Sequence, residues 1–324
     1  MNIKIGTFNL FQFVKPPYSW YIKKDKFDDI QWEKKSSWIK DQLILMDCDI
    51  VGFQEVFSTQ ALKELVQSLG YQYFTYVDKA KVSQENKNIF ISTTVALASK
   101  YPIIETKSVN IDNNFLERFE HKDAFEFARI PIKATIKIDN YELITYVIHL
   151  KSNRLNEYEY KFNDKNTINE KLKKIIPSIN RGNSPALKQR LIESFNIASD
   201  ILKTQKKYKN ICVLGDLNDR QNSLCIDILT NKKCQSITFL KEYETISFEK
   251  VTFMYDSYNK TKRKEKRRPT SYYKTVGNIL DYIFVSKDID VLKFEHFDLH
   301  LKDNKDGSIL QSDHAQIVAQ LSIK

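Results

Sequence analysis

FARIPIKATIKIDNYELITYVIHL, residues 127–150, decides the fold class. Two β-branched runs, Phe127–Ile138 and Tyr141–Leu150, stand with only two residues between them, so no helix can cross from one to the other. A purely doubly wound parallel sheet needs such a crossover between successive strands. The pattern therefore predicts an α/β protein with mixed sheets and helices on their outer faces.

Working outward, further strands are predicted at Ile3–Phe8, Asp49–Phe53, Tyr71–Val77, Thr94–Ser99, Asn210–Leu214, Ile279–Val285 and Ala315–Leu321. Helices alternate with several of them. Trp32, Lys35 and Ile39–Met46 recur at intervals of three and four. A second helix is capped by Ser58 or Thr59 and stops at Gly70; a third opens at Ser184-Pro185 and carries Leu187, Leu191, Phe195, Ala198 and Leu202 on one stripe. No repeat or flexible linker divides the chain, which reads as a single domain over 1–324. Two segments stand apart: a charged insertion at about 154–183, read as a flap able to border the site, and a basic loop at about 260–268.

The chain has 324 residues, 42% of them hydrophobic, and a net charge of +10. Its pI near 9.1 suits a partner that is a polyanion. No apolar run reaches the ~18 residues of a membrane span, so no integral membrane association is expected. The start reads directly into a strand, with no room for a secretory leader, which sets the expectation of a cytoplasmic protein. Four cysteines without a Cys-x-x-Cys pair fit that expectation, Cys48 and Cys212 reading as buried thiols. Seven glycines form neither G-x-G-x-x-G nor a P-loop, and H-E-x-x-H is absent, which excludes dinucleotide enzymes, nucleotide motors and zincins.

Carboxylates, amides and imidazoles recur where apolar strands end: Asn9, Glu55, His149, Asp216 with Asn218, Asp281, and Asp313-His314. A charge at a sheet's rim can meet solvent or a metal, whereas burying it unpaired is costly. Oxygen donors without cysteine suit a hard cation such as Mg²⁺ or Mn²⁺ rather than zinc. A base, a proton donor and a cation are together what phosphodiester hydrolysis requires.

In order along the chain, Thr-Phe-Asn9, Phe-Gln-Glu55, His149-Leu-Lys-Ser, Gly-Asp216-Leu-Asn218, Leu-Asp281-Tyr-Ile and Ser-Asp313-His314 resemble the motifs of the endonuclease/exonuclease/phosphatase superfamily. That superfamily includes pancreatic-type deoxyribonucleases, exonuclease III-like repair enzymes, sphingomyelinases and inositol polyphosphate 5-phosphatases. The resemblance implies a four-layer α/β sandwich, two mixed β-sheets packed face to face with helices outside. It implies Glu55 as the chief Mg²⁺ ligand, with Asn9 and Asp313 as ligands or partners of ligands. Asp216 would orient and deprotonate the attacking water, and Asn218 would hold the phosphate. His314 would donate to a non-bridging oxygen, its ring oriented by Asp281. His149 would contact the phosphate or protonate the leaving group. Whether one metal or two are used stays open. An oriented His–Asp pair predicts a contact of roughly 2.6–3.2 Å between Asp281 and His314.

Arg129, in Phe-Ala-Arg-Ile-Pro, resembles an Arg-x-Pro element that presents a guanidinium to a flanking phosphate; a structural ion pair is the other reading. Lys151, Asn153 and Arg154, following His149, are expected to contact substrate. The His-Leu-Lys-Ser form, and Arg190 with Glu193 as Arg-x-x-Glu, resemble the bacterial nuclease-like branch. His121, His296 and His300 read as surface residues. Residues 260–268 hold seven bases and one acid, either as a solvated loop or as a contact to a nucleic-acid backbone. On the second reading, neutralising Lys262, Arg263, Lys264, Lys266, Arg267 and Arg268 weakens DNA affinity and flattens its salt dependence. The expectation is a monomeric, metal-dependent nuclease acting on DNA. The alternative is a phosphoesterase acting on inositol phosphates or phospholipid head groups. A binding module without catalysis is disfavoured because every position the chemistry needs holds a competent residue.

Overall fold

Period-two alternation sorts the side chains of each central strand onto two faces, and here both faces are apolar. The computed structural model describes residues 1–113, 116, 124–153, 160–236, 251–262, 266–303 and 309–324. Within it, the strand Asn2–Phe13 sends Ile3 and Ile5 to one side and Phe8 and Leu10 to the other. Strands buried on both sides need a layer on each.

Two six-stranded sheets provide those layers. The first runs Asp290–Phe297, Gln316–Ser322, Asn2–Phe13, Ile50–Val56, Thr94–Ser99, Tyr73–Thr75. The second runs Tyr255–Asp256, Asp281–Val285, Ile211–Asp216, Tyr141–His149, Ile132–Ile138, Ile103–Ser108. In each, one central pair is parallel and the other pairings are antiparallel: Asn2–Phe13 with Ile50–Val56, and Ile211–Asp216 with Tyr141–His149.

Ile5, Leu97 and Ile317 of the first sheet meet Val147, Leu214 and Ile283 of the second in one apolar cluster. Gly52 permits the close approach, since a Cβ there would stand 3.1 Å from Val147 and 3.2 Å from Leu214. Helices Asp29–Met46 and Thr59–Gln67 cover the first sheet's outer face. Helices Ile168–Asn180, Pro185–Thr204 and Leu224–Thr230 cover that of the second. The outcome is the four-layer α/β sandwich expected from sequence. Among the described residues, no helix is long and apolar enough to cross a membrane.

Several expectations change. The strand read as Phe127–Ile138 begins at Ile132, because Pro131 has no N–H for the ladder; the Ala128 N–H donates instead to Glu193 Oε1 at 2.8 Å. Part of the charged insertion is a helix layer rather than a flap. Residues Ile168–Asn180 start at a Thr167/Glu170 capping box and bury Ile168, Leu172, Ile175, Ile176 and Ile179. His300 is buried rather than on the surface: its ring lies 5.0 Å from that of Trp38, and its Nε2 donates to the His314 carbonyl at 3.0 Å. His296 is half-buried on the Asp290–Phe297 strand. Arg154, His121 and, in the basic loop, Arg263 and Lys264 lie outside the described residues.

Candidate active site

Strand register assembles the centre. Asp216 pairs with His149 on one side and with Asp281 on the other, so the three form a row across the second sheet. Each shares the face of its strand that points between the sheets, continuing Val147, Leu214 and Ile283 beyond the apolar core. Gly215 is required because a Cβ there would come within 2.0 Å of the Ile148 carbonyl oxygen. That contact is the physical reason for glycine before Asp216.

The first sheet completes the pocket from the opposite side. Asn9 follows Ile5 and Thr7 on the inward face and donates from Nδ2 to Asp216 Oδ2 at 3.1 Å. Immediately beyond, the register shifts between Asn9 and Phe13, with Phe11 and Gln12 at positive φ. The neighbouring strand shifts between Phe53 and Val56, where Glu55 has φ 56°. These coincident bulges re-aim the chain at one level. Glu55 Oε2 there accepts the Gln12 N–H at 3.0 Å.

His314 enters from the loop before the last strand. Its Nδ1 donates to Asp281 Oδ2 at 2.8 Å, and its Nε2 stands 3.8 Å from Asp216 Oδ2. Ser312 fixes that loop, donating to the Asn9 carbonyl at 2.6 Å and accepting the His314 N–H at 3.0 Å. Thr270 Oγ1 accepts the N–H groups of Leu280 and Asp281. The Asn218 N–H binds Asp216 Oδ1 at 2.7 Å, with Asn218 at φ 49°. Non-glycine residues at positive φ cluster here as they do at functional sites.

Burial sets the charges. Asp216 is pushed up to about 7 by burial, held back chiefly by His314 and pushed further by Asp281. Burial alone would lower His314, but Asp281 and Asp216 outweigh it and raise the imidazole well above its ordinary value. His149 goes the other way: burial, reinforced by Arg129, holds it well below and therefore neutral at pH 7. Its Nε2 is 3.5 Å from Asp216 Oδ2, and among the described residues neither ring nitrogen has a hydrogen-bond partner. Asp313 is raised to about 6 by burial, with Glu55 adding repulsion.

The donors suit a divalent cation. Asp313 Oδ1 is a buried carboxylate oxygen without a partner among the described residues, and Glu55 is close enough to perturb its ionisation. Asp216, Asp281 and His314 also present ligand atoms within 4.8 Å of one another. In that trio, however, His314 and Asp281 are already joined by the Nδ1–Oδ2 hydrogen bond, and Asp281 and Asp216 keep the imidazole protonated, which disfavours it as a ligand. The oxygens of Glu55 and Asp313 are therefore the better fit, a hard donor set. The Asn9 amide faces Asp216 with its nitrogen, while its Oδ1 accepts the Phe11 N–H at 3.0 Å.

Helix Pro185–Thr204 braces the loop after His149. Glu193 Oε2 accepts the Lys151 N–H at 2.7 Å, and Arg190 Nη1 donates to the Lys151 carbonyl at 3.2 Å. Both side chains are buried. Asn153 turns inward, donating to the Asn218 carbonyl at 2.8 Å. Arg129 donates to the Leu150 carbonyl and to Ser152 Oγ, and closes no ion pair among the described residues.

The basic loop is partly committed to internal contacts. Lys260 donates to the carbonyls of Ser286, Lys287 and Ile289; Arg267 pairs with Asp256; Arg268 pairs with Asp298 at 2.7 Å. Lys262 and Lys266 are exposed. Thr270 and Tyr21 position the site but were not singled out from sequence, and Lys35 and Ser312 were read only as a helix position and as part of the Ser-Asp313-His314 motif. Tyr21, at φ 60°, lies beside Glu55 and Arg129. For Thr270 the sequence holds no signal; Lys35 sits conspicuously in an apolar helix stripe.

The model of the Endonuclease/Exonuclease/phosphatase family matches residues 7–314. No curated protein matches the chain. Among solved structures, the human Nocturnin catalytic domain with bound sulfate is similar with a TM-score of 0.61 at 16% identity, covering 100% of this chain and 94% of that one. The Bacteroides thetaiotaomicron mannosyl-6-phosphatase gives 0.56 at 14% identity, covering 99% and 100%. The D. rerio TDP2 complexed with single strand DNA product gives 0.54 at 11%, covering 99% of each chain. At such identities these likenesses show a shared fold.

Proposed function

Because the chain belongs to the endonuclease/exonuclease/phosphatase family, whose shared chemistry is phosphoester hydrolysis, we propose that it is a Mg²⁺- or Mn²⁺-dependent phosphodiesterase that hydrolyses nucleic acid, DNA foremost. The observation that carries the reading is the row His149–Asp216–Asp281, closed by His314 over Asp281 and by Asn9 over Asp216.

Asp216 accepts the proton of the attacking water, its orientation fixed by Asn9 and by the Asn218 N–H. His314, kept cationic by Asp281, donates from Nε2 to the charge that grows on the phosphoryl oxygens. Neutral His149 serves as a hydrogen-bond donor to the phosphate, which its depressed pKa favours over proton delivery to the leaving group. Glu55 and Asp313, with Asn9 beside them, would hold the cation, which when bound polarises a phosphoryl oxygen and offsets its charge. Arg129 and Lys151, flanking that centre, take neighbouring phosphates; Arg154 continues the same run.

Net charge of +10 supports a polyanionic substrate. D. rerio TDP2, of the same fold, has been crystallised with a single-stranded DNA product. A second reading, hydrolysis of an inositol phosphate or phospholipid head group, draws on one specific observation: Lys260, Arg267 and Arg268 are consumed by internal contacts, which thins the basic patch. Plasmid and single-stranded DNA incubated with Mg²⁺, beside an Asp216→Ala control, decide between the two. Cleavage lost in the control supports the nuclease. No cleavage, with phosphate released from inositol phosphates, transfers the assignment to the second reading.

A further inference from the structure

Helix Asp29–Met46 packs on the first sheet through Lys35, Ile39, Leu43 and Met46. Three of these are apolar, as a core stripe demands; the fourth is a lysine with no exposed surface. Taking an ammonium out of water costs several kcal/mol unless its donors are satisfied. Among the described residues no carboxylate closes an ion pair with it. Its Nζ donates instead to two backbone carbonyls, Ile309 at 3.2 Å and Gln311 at 3.0 Å. The rings of Phe11 and Phe27 flank it at 5.7 and 5.5 Å.

The position of those partners gives the lysine a purpose. Ile309 and Gln311 immediately precede Ser312-Asp313-His314, which delivers one expected metal ligand and the cationic imidazole. Phe11 lies in the bulge that follows Asn9 and brings Gln12 to Glu55. Lys35 thus binds the backbone of the segment that leads into Asp313 and His314, and meets the ring of Phe11 from the segment that leads from Asn9 to Gln12. Glu55 and Asp313 act on it through space, opposing the burial that lowers it to about 7. With no exposed surface and its donors turned to backbone carbonyls, it is not a catalytic residue.

We propose that Lys35 is a positioning residue of the metal centre, a tether that holds the 309–311 backbone so that Asp313 and His314 face Glu55 and Asp216. The proposal rests on the reading of Glu55 and Asp313 as metal ligands. Loss of the tether loosens the loop, so cation affinity and turnover fall together while binding of substrate phosphate changes little. An arginine retains forked N–H donors within reach of both carbonyls; methionine fills similar volume and has none.

The experiment measures Mn²⁺ binding to the full chain by electron paramagnetic resonance, with kcat, KM and melting temperature, for wild type, Lys35→Met, Lys35→Arg and Lys35→Gln. Lys35→Met is expected to raise the Mn²⁺ Kd tenfold or more and to lower kcat at least as much, with KM within threefold. Lys35→Arg is expected to restore the Kd to within threefold of wild type. Lys35→Gln, too short to span the gap, should behave as methionine does and replaces it if the methionine variant does not fold. A Kd unchanged or tightened in a folded Met or Gln variant overturns the tether, and tightening would mean that the lysine acts as a competing charge. Failure of both neutral variants to fold also overturns it, making Lys35 a core element. Wild-type protein that binds no Mn²⁺ refutes the ligand reading instead.

Discussion

Replacing Asp281 by asparagine keeps its shape and removes one negative charge from a buried centre. In the native protein the carboxylate receives His314 Nδ1 at 2.8 Å and raises the pKa values of both His314 and Asp216. A hydrogen bond to a charged group is worth about 1.5–3 kcal/mol. At about 1.4 kcal/mol per pKa unit, His314 should drop by about one to two units. Asp216 should move in the same direction, since Asp281 is one of the charges pushing it up. Catalysis needs Asp216 ionised, so activity fails as pH falls through the value of that carboxyl, about 7 without a cation and lower once one is bound. It also needs His314 protonated, so activity fails again as pH rises past the elevated imidazole value. The whole bell therefore slides toward acid, with the basic limb moving further. Peak turnover should fall by about 10²–10⁴, the range that a positioned acid or base contributes. The assay is a pH–rate profile on DNA or an activated phosphodiester, beside an NMR titration of the His314 ring. A basic limb that stays in place, or turnover within threefold of wild type, refutes the role given to the Asp281–His314 pair.

Other consequences are equally specific. His149→Gln should slow esters of good and poor leaving groups by the same factor, because a neutral imidazole acts on the phosphate; a loss confined to poor leaving groups would make it the acid. Arg190→Met removes one partner of a buried pair with Asp219 and the clamp on Lys151. It should cost about 3–5 kcal/mol in urea unfolding; a cost below 1 kcal/mol would show that the clamp is dispensable. Lys262→Gln with Lys266→Gln should flatten the log–log salt dependence of DNA binding by about 1.5–2, as each phosphate contact contributes about 0.9. An unchanged slope would mean these exposed lysines are merely solvated.

The rim residues could be read from sequence because each lies at or beside one end of an apolar strand, His149 and Asp216 closing theirs, Asp281 opening its own and Asp313-His314 preceding the last. Gly215-Asp216 is the clearest case, the glycine being forced by contact with Ile148. What could not be read is the register placing Asp216 between His149 and Asp281, because it depends on pairings between residues 65 or more positions apart. Helix Ile168–Asn180 was hidden by its lysines and by Pro177, although Ile168, Leu172, Ile175 and Ile179 keep the helical interval. The strand Asp290–Phe297 lies at a sheet edge, where half-exposed charged residues blur the alternation. His300 looked like a surface residue because nothing local reveals Trp38 or the His314 carbonyl as its partners.

The balance of charge at the centre ties these observations to the cation. Glu55, Asp216, Asp281 and Asp313 face three bases, His314, Lys35 and Arg129, an excess of negative charge. In the metal-free protein that excess and burial show as raised carboxyl pKa values, about 7 for Asp216 and about 6 for Asp313. A divalent ion relieves the repulsion and restores both carboxylates to their ionised forms, so its binding must expel protons. At pH 6.5 both carboxyls are partly protonated, so ion binding should release protons. By pH 8.5 both carboxyls are nearly deprotonated, and the release should vanish while affinity reaches its plateau. Calorimetric titration of Mg²⁺ or Mn²⁺ in buffers of different ionisation enthalpy measures this directly. Binding with no proton release at pH 6.5 would place the ion away from Asp216 and Asp313.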